Sequence, residues 1–378
     1  MTPKEVKVGC VLPLTGSMSE IAERCRRGHE IAVEIQNEKG GIKSLGNVKV
    51  LYEYADCGDK PEGAISECRR LITEEKVPAI TGCYASSLTM PAAEVAERHK
   101  VPFIVSDATA NELTERGFHY TFRASANNTF YCKAALDFGF KNLKAKTLGI
   151  VYVNRFIGQM FKKEVEKQAE QLSIKVVLDA PYAENTKDFS DIVSNMKSAD
   201  PDLIVAASYV DDAVLMAREM RRQNCNARAF IGEGAGHAIP EFLKRAGKSA
   251  EFFASVAYWC HDLKTLGSVD LAHRYAERYG ELPIEHPGSC FQASEVLFNS
   301  LEKSGSTEPE KIREALAKTE MMTICGHVKI DPLTGQNVHA RCIVVQVQKG
   351  QFRTVWPAEV ASREPVFPPP SWDKRQQT

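Results

Sequence analysis

Three short stretches carry side chains from which a site for a small charged molecule could be built. In GCYASS (residues 82–87) two adjacent serines, Ser86 and Ser87, follow an apolar run just where a helix begins. A helix start offers unpaired amides and a partial positive charge, so with hydroxyls beside it this is a cradle for a carboxylate. The same serines also suit an ordinary cap, in which a hydroxyl accepts a hydrogen bond from a first-turn amide, and the two roles are compatible. In SDATAN (106–111) Asp107, Ala108 and Thr109 supply a carboxylate, backbone groups and a hydroxyl. Asp107 reads equally well as a turn former bonding its own loop. In GEGAGH (232–237) one carboxylate, Glu233, stands between glycines that let the backbone approach closely; the plainer reading is a solvated loop acid. A carboxylate facing a nest of hydroxyls and amides suits a zwitterion, its ammonium and carboxylate held by opposite partners. His237 lies near Glu233, but no nucleophile with an orienting partner accompanies them. Neither GSMSE nor CYASS matches GxSxG, which speaks against a hydrolase.

Strand ends must position these groups. KVGCVLPL, VKVLYEYAD, VPAITG and VPFIVS read as strands, separated by amphipathic helices in RRGHEIAVEIQNEKGG, PEGAISECRRLITEE and LTMPAAEVAERH. Continuous β-rich runs alternating with helices of this length predict βαβ units and a buried parallel sheet. After YTFRASANN a second round begins: strands TLGIVYV, IKVVLDA, DLIVAAS and ARAFIGE alternate with helices GQMFKKEVEKQAEQ, FSDIVSNMKS and AVLMAREMRRQ. The chain then turns mostly helical, ends in a two-stranded segment from HVKID to CIVVQVQKGQF, and closes with a Pro-rich tail expected to be extended and peripheral. In open parallel sheets ligands sit beyond the carboxyl ends of strands. That rule selects TGSMSEIAE, CYASS, SDATANELT, NRFIGQ and GEGAGH. Phe156 and Trp259 read as packing residues, and Tyr209 reads as packed beside IVAAS.

Composition narrows the classes. At 378 residues the chain exceeds what one core usually serves, so two domains are expected. Its 48 basic and 49 acidic side chains nearly cancel, leaving no electrostatic footprint for nucleic acid or an anionic membrane. No apolar run is long enough to span a bilayer. The start, MTPKEVKVGC, lacks the apolar segment of a leader peptide, so the chain is expected either to be cytoplasmic or to have lost its leader. Of the eleven cysteines, Cys10, Cys68 and Cys132 read as small buried residues. Cys325 with Cys342, placed about the DPLTGQ turn, and Cys57 with Cys83, at the ends of predicted neighbouring strands, read as two disulfide pairs. No Cys/His cluster has zinc spacing, and the sequence gives no metal or cofactor expectation. The chain opens directly on a strand, without the helix-turn-helix expected of a repressor.

The order and spacing of PLTGSMSEIAERCRRGHEIAVEIQNEKGGI, ADCGDKPEGA, GCYASSLTMPAAEVAERHKVPFIVSDATANELTERG and FIGEGAGH resemble the type I periplasmic solute-binding proteins of ABC transporters, specifically the leucine/isoleucine/valine-binding family. The resemblance covers about residues 5–360. It implies an α/β fold of two doubly wound parallel-sheet lobes joined by a three-crossover hinge, with crossings near 122–126, 250–255 and 326–330. Lobe 1 would take residues 5–122 and 254–326, lobe 2 residues 127–250 and 327–360, with 361–378 a tail. It further implies that Ser86, helped by Ser87 and Thr109, holds the ligand's α-carboxylate and that the Asp107–Ala108 backbone contributes. Glu233 would pair with the α-amino group and Tyr209 would line the site. Ile21 and Ile157 stand where leucine binders often have aromatic residues, which leaves the side-chain preference open. The implied function is non-enzymatic: an extracytoplasmic, monomeric binder, periplasmic or lipid-anchored, delivers an amino acid to an ABC permease by hinge closure. The alternatives are an aromatic or aliphatic carboxylic acid as ligand, or a sensory module of the same fold.

Overall fold

The computed structural model describes residues 5–376. The first round of elements is β1 (Glu5–Leu12), α1 (Ser19–Glu38), β2 (Lys49–Asp56), α2 (Pro61–Thr73), β3 (Ile80–Gly82), α3 (Ser86–His99), β4 (Phe103–Val105), α4 (Glu112–Glu115) and β5 (Thr121–Arg123). The second begins with α5 (Asn128–Lys141), β6 (Thr147–Val153), α6 (Phe156–Gln171), β7 (Lys175–Tyr182), α7 (Ser190–Ala199) and β8 (Leu203–Ala207). It continues with α8 (Val210–Arg222), β9 (Phe230–Gly232), α9 (Gly234–His237), α10 (Pro240–Ala246) and β10 (Ala254–Ala257). Then come α11 (Ser268–Tyr279), α12 (His286–Ser304), α13 (Pro309–Ala317), β11 (Glu320–Thr323), β12 (Gly326–Lys329), β13 (Ile343–Gln348) and β14 (Gln351–Trp356).

The chain divides into two compact units. Unit 1 takes the chain up to Asn127 and again Thr265–Ala340; unit 2 takes Asn128–Lys264 and the chain from Arg341 onward. The chain therefore passes between the units three times. The division departs from the expected bounds in two places. β10 pairs in parallel with β9 and antiparallel with β13, which assigns 254–264 to unit 2. The 327–340 segment stays in unit 1, where Asn337 donates from Nδ2 to the Ala124 carbonyl at 2.8 Å.

Unit 1 is built on a five-stranded parallel sheet in the order β2-β1-β3-β4-β5. Its inner strands are the short apolar runs: every residue of β3 and β4 is buried, whereas β2, at the edge, leaves most of its side chains half-exposed. This is the pattern of a parallel sheet covered on both faces. Unit 2 has a seven-stranded sheet in the order β14-β13-β10-β9-β8-β6-β7, parallel from β10 to β7. Its central strand β8, LIVAA, is wholly buried. β13 and β14 are joined through Lys349 and Gly350, both at positive φ (55° and 70°), as a two-residue hairpin turn requires.

Several expectations fail for topological reasons. HVKI does not pair with the CIVVQV run: β12 pairs with β11 inside unit 1, and β13 with β10 and β14 in unit 2. Cys325 and Cys342 thus belong to different units and are free thiols, and Cys57 and Cys83 are free as well. β1 lies between β2 and β3, so the strand ends that carry Cys57 and Cys83 are two strand spacings, about 9.5 Å, apart, beyond the reach of a disulfide. The tail is extended but not peripheral: Trp372 is 5 % exposed, donates from Nε1 to the Cys225 carbonyl, and stacks under Arg375. The helix α12 begins earlier than its apolar pattern suggested, because Pro287 and Gly288 occupy its first turn, where proline is tolerated.

Candidate functional site

In unit 1 the loops after β1, β3 and β4 issue from three adjacent parallel strands, and so share one edge of the sheet. Ser86 is the first helical residue of α3; the cap position belongs to Ala85, in extended conformation, and no side chain caps the helix. The capping role is therefore not taken by either serine. Ser86 Oγ instead accepts a hydrogen bond from the Ala110 amide at 3.1 Å, which ties the start of α3 to the loop after β4. Ser87 is exposed. The carbonyl of Ala85 already accepts from the amides of Leu88 and Thr89. The amides at the very start of α3 have no intrahelical acceptor by helix geometry and point outward with the helix dipole. Thr109 is half-buried and Ala108 buried at the same edge. Ile21, on α1, is half-buried against a core cluster of Cys10, Leu12, Ala22, Cys25 and Cys290.

Asp107 does neither of the things its type suggested. Its Oδ2 lies 2.6 Å from His286 Nδ1, and its Oδ1 accepts from Ser289 Oγ at 2.6 Å, so the carboxylate is anchored on α12 and only 9 % exposed. Burial lowers the His286 imidazole, but the Asp107 charge and hydrogen bond together with Glu285 and Cys290 raise the group above its ordinary value. Arg123, fully buried at the end of β5, braces the same loop from the other side, its Nη2 donating to the Ala110 carbonyl at 2.6 Å. Burial depresses its guanidinium to about 9. His286 and Arg123 were absent from the sequence reading: one precedes a proline, the other sits in a three-residue strand, and neither position carries a periodic signal.

In unit 2 the corresponding edge is formed by β9, β8 and β6, again adjacent and parallel. Glu233 follows β9, is 6 % exposed, and donates its amide to the Ala206 carbonyl at 2.7 Å. Two of its neighbouring glycines are there for space. A Cβ on Gly232 would stand 2.3 Å from the His237 ring, and one on Gly236 2.3 Å from the Ser208 carbonyl oxygen. His237 is packed between Phe230 and Phe242, with ring centroids 5.5 Å from each, and burial depresses its imidazole to about 4, so it is neutral. Tyr209 precedes α8 and is 43 % exposed, which separates it from the packed reading. Burial raises its phenol, countered in part by Arg155, so it is a neutral hydrogen-bonding group. Ile157 is half-buried on the first turn of α6. Phe156, expected to pack, is instead 66 % exposed, whereas Trp259 is fully buried. Unit 2 thus presents a buried carboxylate beside exposed aromatic surface at the carboxyl ends of its strands.

Comparison with known proteins gives the arrangement a context. A family model described as "Periplasmic binding protein" matches residues 5–351. The Leu/Ile/Val-binding protein homolog 8 of Brucella abortus (strain 2308) is 28% identical over 373 residues, covering 94% of this chain and 92% of its own. Among solved structures, the leucine binding protein LivK of Thermotoga maritima MSB8 superposes with a TM-score of 0.80 at 25% identity, over 92% of this chain and 97% of that one. A solute binding protein of an ABC transporter from Rhodopseudomonas palustris BisB5, in complex with 3,4-dihydroxy benzoic acid, gives a TM-score of 0.81 at 18% identity, over 97% and 99%. With a family model matching nearly the whole chain and two α/β units that the chain links three times, the protein belongs to the periplasmic binding protein family.

Proposed function

We propose that this chain is the extracytoplasmic binding component of an ABC importer and that its ligand is an amino acid with an apolar side chain. The observation that carries this reading is Glu233, a carboxylate 6 % exposed at the carboxyl end of β9, with the exposed Tyr209 and Phe156 following β8 and β6 of the same sheet. A buried negative charge favours a cationic group and opposes a second carboxylate. On this reading the ligand's ammonium goes to Glu233 and its carboxylate to Ser86, Thr109 and the start of α3, while Tyr209, Ile157 and Ile21 meet its apolar part. Closure about the three chain passages accompanies binding and presents the loaded protein to a permease. The Brucella relative and the Thermotoga leucine binder support an amino acid. An aromatic carboxylic acid is the second reading, favoured by the exposed Phe156 and Tyr209.

A thermal-shift screen of amino acids against benzoates tests both, because binding to the native state alone raises the melting temperature by mass action. The expected result is stabilisation by at least one apolar amino acid, abolished in Glu233→Ala. Stabilisation by amine-free acids alone, undiminished in Glu233→Ala, would overturn the amino-acid reading in favour of the second.

A further inference from the structure

Cys25, Asp107 and His286 come from three separate elements of unit 1: α1, the loop after β4, and the first turn of α12. One donor atom from each, the thiol sulfur, a carboxylate oxygen and a ring nitrogen, all lie within 4.8 Å of one another. None faces solvent: Cys25 is fully buried, His286 is 4 % exposed and Asp107 9 %. Hydrogen bonding accounts for only part of this cluster. His286 Nδ1 is 2.6 Å from Asp107 Oδ2, yet its Nε2 is inaccessible and has no hydrogen-bond partner among the described residues. A second thiol, Cys290, lies one helical turn along α12 from His286 and packs in the same core cluster as Cys25. Two thiols, an imidazole and a carboxylate are a mixed soft and hard donor set, the kind that selects zinc over magnesium or calcium.

We propose that unit 1 holds a zinc ion on Cys25, Asp107 and His286, the fourth position being taken by Cys290 once its side chain, which lies outside the 4.8 Å set, turns toward the ion. Ligands at zinc's bond lengths stand roughly 3.3 to 3.8 Å from one another, so the side chains reach the ion by rotamer adjustments rather than a change of fold. The thiol protons leave to solvent when the ion binds, so affinity rises with pH. Its structural effect is to fasten α1 and α12 to the loop that carries Ala108 and Thr109. The inference does not depend on which small molecule the protein binds.

The test is metal analysis of full-length protein purified without chelator, followed by chelation and titration with zinc alone. The expected result is close to one zinc per chain, a melting temperature that falls on chelation and recovers with zinc, and affinity weakened at least about tenfold in Asp107→Asn. Cobalt added to the apo wild type reports the ligands directly. A thiolate-to-cobalt charge-transfer band with tetrahedral visible bands is expected, roughly halved in Cys25→Ser, lost when Cys290→Ser is added, and kept in Cys225→Ser, whose thiol lies in unit 2. The wild-type spectrum stands by itself should the Cys25 variant fail to fold. Less than a tenth of an ion per chain together with no thermal shift by zinc, a cobalt spectrum without the thiolate band, or a Cys25–Cys290 disulfide in the native protein would each overturn the proposal.

Discussion

Ser86, Glu233 and His237 illustrate how one residue's surroundings settle what its type leaves open. Ser86 Oγ holds the Ala110 amide, so Ser86→Ala leaves that amide without its acceptor and, on the proposed binding mode, removes a hydroxyl from the ligand's carboxylate. The expected outcome is a small loss of stability, about 1 kcal/mol in urea unfolding, with a larger loss of ligand affinity in calorimetry; an affinity equal to wild type would remove Ser86 from the site. His237 gives a signed pH dependence. Its imidazole, ordinarily at 6.5, is depressed to about 4 by burial, so as pH falls the unfolded chain takes the proton first. The native state keeps its full stability above about pH 6.5 and loses on the order of 3 kcal/mol between there and pH 4. Urea unfolding of wild type and His237→Gln across that range checks this: the difference between them narrows as the pH drops. A constant difference would mean that His237 titrates normally.

At the scale of elements, the close approaches are where single atoms matter most. α1 and α12 touch at backbone level: a Cβ on Gly28 would lie 2.3 Å from the Pro287 carbonyl oxygen. Neither group is the end of a flexible side chain, so Gly28→Ala must push the helices apart, and a loss of about 1–3 kcal/mol is expected. Thermal unfolding within a degree of wild type would contradict that contact. The same step would disturb Cys25 and Cys290, on those two helices, so zinc retention in Gly28→Ala is a sensitive gauge of the proposed ion. Gly236→Ala, against the Ser208 carbonyl, should likewise destabilise unit 2 and weaken ligand binding together, because the loop it displaces carries Glu233. The helices and strands themselves were legible from hydrophobic periodicity. Among the elements missed were β5, where a crossing was expected near 122–126, α5, the short α4, α9, α10 and β11, and the first turn of α12, where Pro287 and Gly288 masked a helix start.

For the whole molecule, the eleven cysteines make a clean discriminator. All are free, and all but Cys325 are buried. Denatured, chelator-treated protein should therefore titrate eleven thiols, whereas the disulfide pairs suggested by the turn and the strand ends would give fewer. The sequence by itself determined the α/β class, the alternation that builds two parallel sheets, and the loops bearing Ser86, Thr109 and Glu233. Those depend on local periodicity and on a general rule about strand ends. Only the tertiary structure decided that Asp107 turns away to His286 and Ser289, that Phe156 is exposed, and that β1 separates Cys57 from Cys83. It also decided that Cys25, Asp107 and His286 meet. The physical reason is the same in each case: strand order and helix packing join residues far apart in the chain, and a one-dimensional pattern carries no record of which distant element will lie beside which.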